Sequence, residues 1–518
     1  MRIGIVGAGL SGLVTAKTFL EEGFEVAVFE QEDELGGVWA RSRRYPGLAT
    51  QNPRDTYAFS DFPMPRSYPD WPSGEQVQAY LAAYADRFGV TPNLRLETRV
   101  ARAEPIAGRR AGWRLHVAAA DGREEAHEVD WLVVCNGVFS APFVPEVPGR
   151  AEFEAAGGRV LHSTEVRSAD ELAGKRVVVA GFAKSAADAA VAAAGAAAAV
   201  TLVHRRALWK MPKYFFGRLH LKYVLTTRFS EALFRYRRLA GFERFLHTAG
   251  RPLVWLFWRG IERHLRHAFA LDAHGLVPDE PIERLVGCGL SLASGGFYER
   301  VADGSIGVRR GAVARMEAGG VVLDDGTPLY ADLVVFGTGF RQETPFLPAA
   351  VMARVRGEDG NFRLHRNIVP TEVPRLAFVG YNASLYSQLT SEIGARWLVE
   401  HVQGRIALPT TAEMRSEIEA RLDWLRAERP NHLASGTCVV PFNFHYLNDL
   451  LRDMGARTWR SRNRLREYLM PVDPALYADL GAELAAKRAR RATPREPAMA
   501  GTEARRGWTI PLRASVPP

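Results

Sequence analysis

At 518 residues, with 47% hydrophobic and 24% charged residues, the chain can fold two or three ordinary domains and has the composition of a soluble globular protein. Its three cysteines, Cys135, Cys288 and Cys438, are far apart and form no CxxC pair, which argues against a dithiol redox centre and a zinc site and suits buried thiols in the cytoplasm. The net charge of +9 is divided between a tail and one internal segment without any nucleic-acid-binding module, so it reads as solvated basic surface, with no nucleic acid expected as partner.

In chain order, Arg2 to Val6 is a short apolar run beginning almost at Met1, which leaves no room for a targeting peptide before it. It runs into Gly7-Ala8-Gly9-Leu10-Ser11-Gly12, then a helix and a second strand, Glu25 to Phe29. Gly7 lets the chain turn sharply, Gly9 clears space for a pyrophosphate against backbone N–H groups, and Gly12 lets the helix pack closely on the sheet. The phosphates belong at the positive helix end. Glu30, ending the second strand, is placed to accept hydrogen bonds from ribose hydroxyls and favours an unphosphorylated ribose, hence FAD or NAD over NADP.

Next come Gly36-Gly37-Val38-Trp39, a glycine pair followed by a flat apolar ring placed to flank a cofactor or to join the core. Tyr45-Pro46-Gly47 opens a loop through Gln51-Asn52-Pro53-Arg54-Asp55 to Phe59-Ser60-Asp61-Phe62-Pro63, too rich in Pro and aromatics for regular structure. Asn52 before Pro53 also fits a plain Asx-turn. Together the GAGLSG, GGVW, YPGL and FSDFP stretches resemble flavin-containing monooxygenases, class B flavoproteins that use FAD and NADPH. The resemblance implies an amide over the flavin at Gln51 or Asn52, both of which offer a donor and an acceptor. It also implies a flavin site drawing on Gly7, Gly9, Ser11, Gly12, Glu30, Gly37, Val38, Trp39, Val100, Asn136 and Gly137.

Ser73 to Phe88 has the spacing of an amphipathic helix, and Leu94 to Val100, Trp113 to Val117 and Glu128 to Val134 that of strands. Cys135-Asn136-Gly137 stands where the family returns to the FAD with Ala-Thr-Gly. The linker signature of Baeyer–Villiger members is partial: Gly158 and His162 match, but Ala156 and Val166 replace aromatic residues. His162 reads as a structural linker.

From Arg176 the strand, turn, helix and strand recur: Arg176 to Ala180, then Gly181-Phe182-Ala183-Lys184-Ser185-Ala186, an Ala-rich helix, and Val200 to Val203. Ala183 puts a methyl where the second glycine would be, which suits a cosubstrate that comes and goes. This second strand ends in His204-Arg205-Arg206, and guanidinium forks match a ribose 2′-phosphate. NADPH is therefore expected here, with Gly181, Lys184, Ser185, Arg205 and Arg206 as contacts; Thr338 and Gly339, in a turn close to the family's Ala-Thr-Gly-Tyr, join the cofactor-binding set.

The segment Trp209 to His267 is dense in basic and aromatic residues at helical spacing. It reads either as a helical subdomain with its own core or as a substrate lid with peripheral contact to an anionic membrane surface. Its longest apolar run, Leu253 to Trp258, is too short to span a bilayer. The expected fold is α/β, with two Rossmann-like domains and a helical insert. FAD-binding parts at 1–155 and 325–470 enclose an NADPH-binding domain at 156–324 that carries the insert at about 209–275, and an Arg-, Ala- and Pro-rich tail, 487–518, reads as disordered. The family implies an NADPH- and dioxygen-dependent monooxygenase that places one oxygen atom on a small molecule by N- or S-oxygenation or related hydroxylation, through a flavin 4a-hydroperoxide. The alternatives are a Baeyer–Villiger monooxygenase, a flavin reductase or redox sensor, and a binding protein without catalysis.

Overall fold

The structure is a computed structural model that describes residues 1–108, 111–285, 291–428 and 442–492; Cys288 and Cys438 lie outside them. It divides into two compact units, Met1–Ala478 and the residues from Asp479 on.

The first unit begins with β1 (Arg2–Val6), α1 (Leu10–Glu21) and β2 (Glu25–Phe29). β1 pairs in parallel with β2 on one side and with β3 (Trp131–Val134) on the other. Ile3, Ile5, Val28, Leu132, Val133 and Val134 are all fully buried, the apolar-on-both-faces pattern of a parallel sheet covered on each side. A second parallel sheet forms around β4 (Arg176–Ala180), which α2 (Lys184–Ala194) connects to β5 (Ala199–His204). The other neighbour of β4 is β6 (Leu333–Phe336), and Arg159–His162 and Gly307–Arg310 complete the sheet. The chain then returns to the first sheet: β7 (Leu376–Phe378) pairs with β3, and α3 (Ser387–Val402) packs along α1.

The first sheet is thus assembled from two separated stretches of chain, and β6 bears on where the second one ends. Leu333–Phe336 pairs with the second sheet, so that domain runs past 324 to about residue 336. The antiparallel strands Val313–Glu317, Gly320–Leu323 and Pro328–Tyr330 pack with it through Met316, Val321 and Leu323. Two expected strands are also broken. Glu97 adopts a left-handed φ of 51° and separates Leu94–Arg95 from Thr98–Ile106. Between Glu124–Val129 and β3, the Asp130 carboxylate accepts the Arg2 N–H at 2.7 Å while the chain changes sheets.

The insert is less helical than its spacing suggests. Lys210–Met211, Tyr214–Phe215 and Leu219–His220 are short strands, and helices follow from Lys222, the longest being Arg251–Ala268. Buried Trp258, Ile261 and Leu265 give that helix a core face. The insert is anchored to the C-terminal helices. The Glu231 carboxylate accepts the N–H groups of Phe444 and His445 at 2.9 Å each, capping the helix Asn443–Asp453, and Arg228 pairs with Glu467 at 2.9 Å. Burial pushes the Glu231 carboxyl above its ordinary range, opposed by His445 and the two N–H donors.

The second unit contains the helix Leu480–Ala492. It takes in residues 487–492 of the expected tail, Ala and Arg favouring helix in this stretch; residues 493–518 lie outside the described set.

Candidate functional site

A cavity of about 420 Å³ opens at the carboxyl ends of β1, β2 and β3. Gly7, Gly9, Ser11, Glu30, Gly37, Val38, Trp39, Val100, Asn136 and Gly137 all line it. Gly7 has φ 104°, and a methyl on it would lie 2.7 Å from the Cys135 carbonyl oxygen. Gly9 and Gly37 face each other so closely that a Cβ on Gly37 would stand 3.1 Å from the Gly9 Cα. Gly12 sits behind the turn rather than in the cavity, where a Cβ would meet the Gly7 carbonyl oxygen at 1.9 Å; its role is to seat α1 against the turn.

Glu30 is buried, with Oε2 accepting the Ala8 N–H at 2.7 Å and Oε1 the Glu32 N–H at 3.1 Å. Burial raises its pKa, and the two amide donors oppose that rise. Asn136 donates to the Glu343 carbonyl at 2.7 Å and accepts the Tyr381 hydroxyl at 2.7 Å, so the turn after β3 is tied to the returning half of the domain. The far wall carries residues that sequence reasoning missed: Arg43, Phe139, Ser384, Ser387 and Ser391, with Ser391 Oγ 2.9 Å from Ser11 Oγ. Gly380, two residues past β7, and the small polar residues after it are the signal that could have found this wall; a Cβ at Gly380 would lie 2.2 Å from Ser11 Oγ.

Neither expected amide lines this cavity. Asn52 is buried and donates to the Leu385 carbonyl, next to the lining residue Ser384. Gln51 is exposed, and its Oε1 accepts the Leu292 N–H at 3.2 Å. The FSDFP stretch is a clamp between helices: Asp61 pairs with Lys17 of α1, and Glu392 of α3 accepts the Ser60 N–H at 2.9 Å. Burial pushes the Glu392 carboxyl up to about 7.

The second group gathers at the carboxyl edge of the other sheet. Gly181 turns out of β4 with φ 133°, and a Cβ there would lie 2.4 Å from the Gly337 carbonyl oxygen. Lys184 and Ser185 open α2, and the Lys184 ammonium is engaged by Asp188, which also accepts from the Tyr45 hydroxyl at 3.3 Å. Arg205 and Arg206 are exposed just beyond β5, with Arg206 3.8 Å from Glu280. Thr338 and Gly339 lie apart from the first cavity, in the crossover after β6. Thr338 donates to the Phe143 carbonyl, and the Gly339 carbonyl accepts the Phe143 N–H at 3.0 Å and lies 3.0 Å from His162 Nε2. His162 is fully buried, its ring held at both nitrogens, as a structural linker requires. Lys210 was also missed. It is 1% exposed, donates to the Phe182 carbonyl inside the Gly181 turn at 2.7 Å, and is pushed down to about 7 by burial and by Lys184.

Two parallel sheets thus each carry a glycine turn into a helix, one ending in a carboxylate and the other in a pair of guanidinium groups. Residues 1–458 match the family described as "Flavin-binding monooxygenase-like". The chain belongs to this family. It is 28% identical over 510 residues to the probable flavin-containing monooxygenase 1 of Arabidopsis thaliana, covering 91% of this chain and 94% of that one. Among solved structures it is similar to S-allyl-L-cysteine S-oxygenase from Allium sativum, at 21% identity and a TM-score of 0.60 over 95% of this chain and 93% of that one. It also resembles OTEMO, solved in complex with FAD and NADP, at 18% identity and a TM-score of 0.64 over 87% and 97% of the two chains. As a member of this family the chain is a flavin-binding oxidoreductase. The first cavity fits a dinucleotide: glycines stand where any Cβ would narrow it, and a carboxylate waits at the second strand. Among the described residues no group of His, Cys, Asp and Glu could hold a metal ion, and no helix is long and apolar enough to cross a membrane.

Proposed function

We propose that the chain oxygenates a soft nucleophile, the nitrogen or sulfur of a small molecule, with FAD in the first cavity and NADPH at the second sheet. The observation that carries this reading is the opposite chemistry of the two strand ends, Glu30 against Arg205 and Arg206, in one family of flavin-binding monooxygenases. FAD supplies the redox chemistry when bound, with NADPH as reductant and dioxygen as oxidant.

The protein's part is to bind, orient and exclude water. Gly7, Gly9 and Gly37 let backbone approach the pyrophosphate, and Ser11 and the N-terminus of α1 meet its charge. Glu30 accepts from the ribose hydroxyls. Val38, Trp39 and Val100 form apolar walls. Asn52, buried and donating to the Leu385 carbonyl, holds the backbone next to the cavity-lining Ser384, while the exposed Gln51 ties its loop to Leu292. At the second sheet Gly181 clears the approach, Lys184 and Ser185 meet phosphate at the helix start, and Arg205 and Arg206 grip the 2′-phosphate. Thr338 and Gly339 hold the crossover that fixes one cofactor against the other.

We read the insert as the substrate lid, with peripheral contact to an anionic membrane. Leu253, Trp255 and Leu256 are exposed on the helix Arg251–Ala268 beside the exposed Arg251 and Arg263. Sedimentation with vesicles containing phosphatidylserine tests this: binding lost in Trp255→Ser/Leu256→Ser supports it, and equal recovery of both proteins in the supernatant refutes it. The reaction is tested by supplying NADPH, air and a tertiary amine, a sulfide or a ketone and weighing the products. An N-oxide or sulfoxide supports the reading. A lactone or ester alone makes the enzyme a Baeyer–Villiger oxygenase, and NADPH oxidation without any oxygenated product makes it a reductase.

A further inference from the structure

A second, smaller cavity of about 80 Å³ lies among Tyr236, the strands around His365, the helix Thr411–Glu428 and the helix Asn443–Asp453. That is several times the space an ordered water requires, on the order of 10–15 Å³, and far below a dinucleotide. Its lining mixes guanidinium groups and aromatic rings: Arg237, Arg366 and Arg421 with Tyr236, Trp424 and Tyr446.

The charges around it do not cancel. Glu417 is already shared by Arg237 at 3.0 Å, Arg238 at 3.4 Å and Arg366 at 2.9 Å. Asp449 is taken by Arg452 at 2.8 Å, and Asp453 receives a two-pronged bond from Arg366 at 2.7 and 3.0 Å. Arg421 has no hydrogen-bond or ion-pair partner among the described residues, although it lines the cavity and burial lowers its pKa. His365, 1% exposed, also lines it and has an unpartnered buried Nε2. Burial and Arg366 push that ring down to about 4, so it is neutral, with Nδ1 3.6 Å from a Glu417 oxygen. The half-buried Arg421 guanidinium and the buried His365 Nε2 thus both reach one cavity without a partner, and a buried polar atom left so is costly.

We propose that this cavity binds a small monocarboxylate, with the Arg421 guanidinium as its two-pronged partner. A carboxylate matches the planar fork, and the aromatic walls suit a short apolar stem. A dianion would face the Glu417 and Asp449 carboxylates on the same lining. The site also touches the flavin cavity, because Asn382 lines both. Asn382 Oδ1 accepts from Asn367 Nδ2 at 3.3 Å, and Asn367 and Arg366 form a tight turn with φ of 54° and 53°, a backbone that ordinary side chains adopt only where the surroundings hold them. A bound carboxylate is thereby placed one side chain from the flavin wall. The proposal is independent of which atom the enzyme oxygenates.

The experiment titrates acetate into the flavin-loaded full-length protein by calorimetry, at constant ionic strength. Saturable binding is expected, weakened about tenfold or more in Arg421→Gln and less in Arg421→Lys, with phosphate binding at least tenfold more weakly. Absence of saturable acetate binding, unchanged affinity in Arg421→Gln, or equal binding of phosphate overturns it. Should Arg421→Gln not fold, the unmodified protein is labelled with phenylglyoxal and mapped by mass spectrometry. Acetate protecting Arg421 supports the site, and labelling of Arg421 unchanged by acetate refutes it.

Discussion

Alanine at Gly12 and at Gly9 should damage the enzyme in different ways. A Cβ at Gly12 would lie 1.9 Å from the Gly7 carbonyl oxygen, so the helix or the turn must retreat by roughly an ångström. At Gly9 the nearest heavy atom to a new Cβ is the Gly37 Cα at 3.6 Å, an ordinary contact. Overpacking of the Gly12 kind costs about 1–3 kcal/mol, which, falling on the turn that must cradle the pyrophosphate, weakens flavin binding about 5- to 150-fold. Gly12→Ala should therefore purify with a reduced flavin-to-protein absorbance ratio and a lowered melting temperature even without flavin. Gly9→Ala should keep the melting temperature of the flavin-free protein and lose flavin alone, because its methyl meets only the ligand. A Gly12→Ala protein with full flavin and unchanged melting would refute the close seating of α1 on the turn. A Gly9→Ala protein with full flavin would refute the path of the pyrophosphate.

Replacing Arg205 and Arg206 together with Ala removes charge-assisted hydrogen bonds of about 1.5–3 kcal/mol each, so KM for NADPH should rise at least tenfold while KM for NADH barely moves; equal losses would remove the assignment of the 2′-phosphate. Lys210 has its pKa pushed down to about 7, so between about pH 7 and the ordinary lysine range the unfolded chain binds more protons than the folded one. Stability should rise with pH across that window, by at most about 1.4 kcal/mol per unit from this group. Lys210→Met should flatten the slope in denaturant titrations; an unchanged slope would show that Lys210 is not its source.

Both nucleotide folds were legible because each is a local signal: a strand, a glycine turn, a helix and a charged strand end within about thirty residues. Gly7, Gly9, Ser11 and Glu30 line one cavity for that reason, whereas Gly37, Val38, Trp39, Val100, Asn136 and Gly137, which line it too, were reached through the family resemblance. Long-range pairing was not legible. Nothing in the apolar run Leu333–Phe336 says which of two parallel sheets it joins, and both partners were equally apolar. The same limit hid the serines at 384, 387 and 391, which reach the cavity only because β7 returns to β3. Gln51 and Asn52 were found by motif spacing, but burial separates them, Asn52 inside and Gln51 at the surface. In the insert, alternating basic and aromatic residues met a helical template while 210–220 forms short strands, too brief for a period of 2 to be distinguished from one of 3.6. Lys210 looked like one more surface charge, and only tertiary packing buries it.

The most direct test of two cooperating dinucleotide sites is oxygen-18 incorporation, with the purified protein given NADPH, labelled dioxygen and a sulfide or amine that it turns over. One labelled oxygen atom per product molecule, for one NADPH consumed, is the result expected. NADPH oxidised with all the label appearing in hydrogen peroxide or water, whatever nucleophile is offered, would contradict the account.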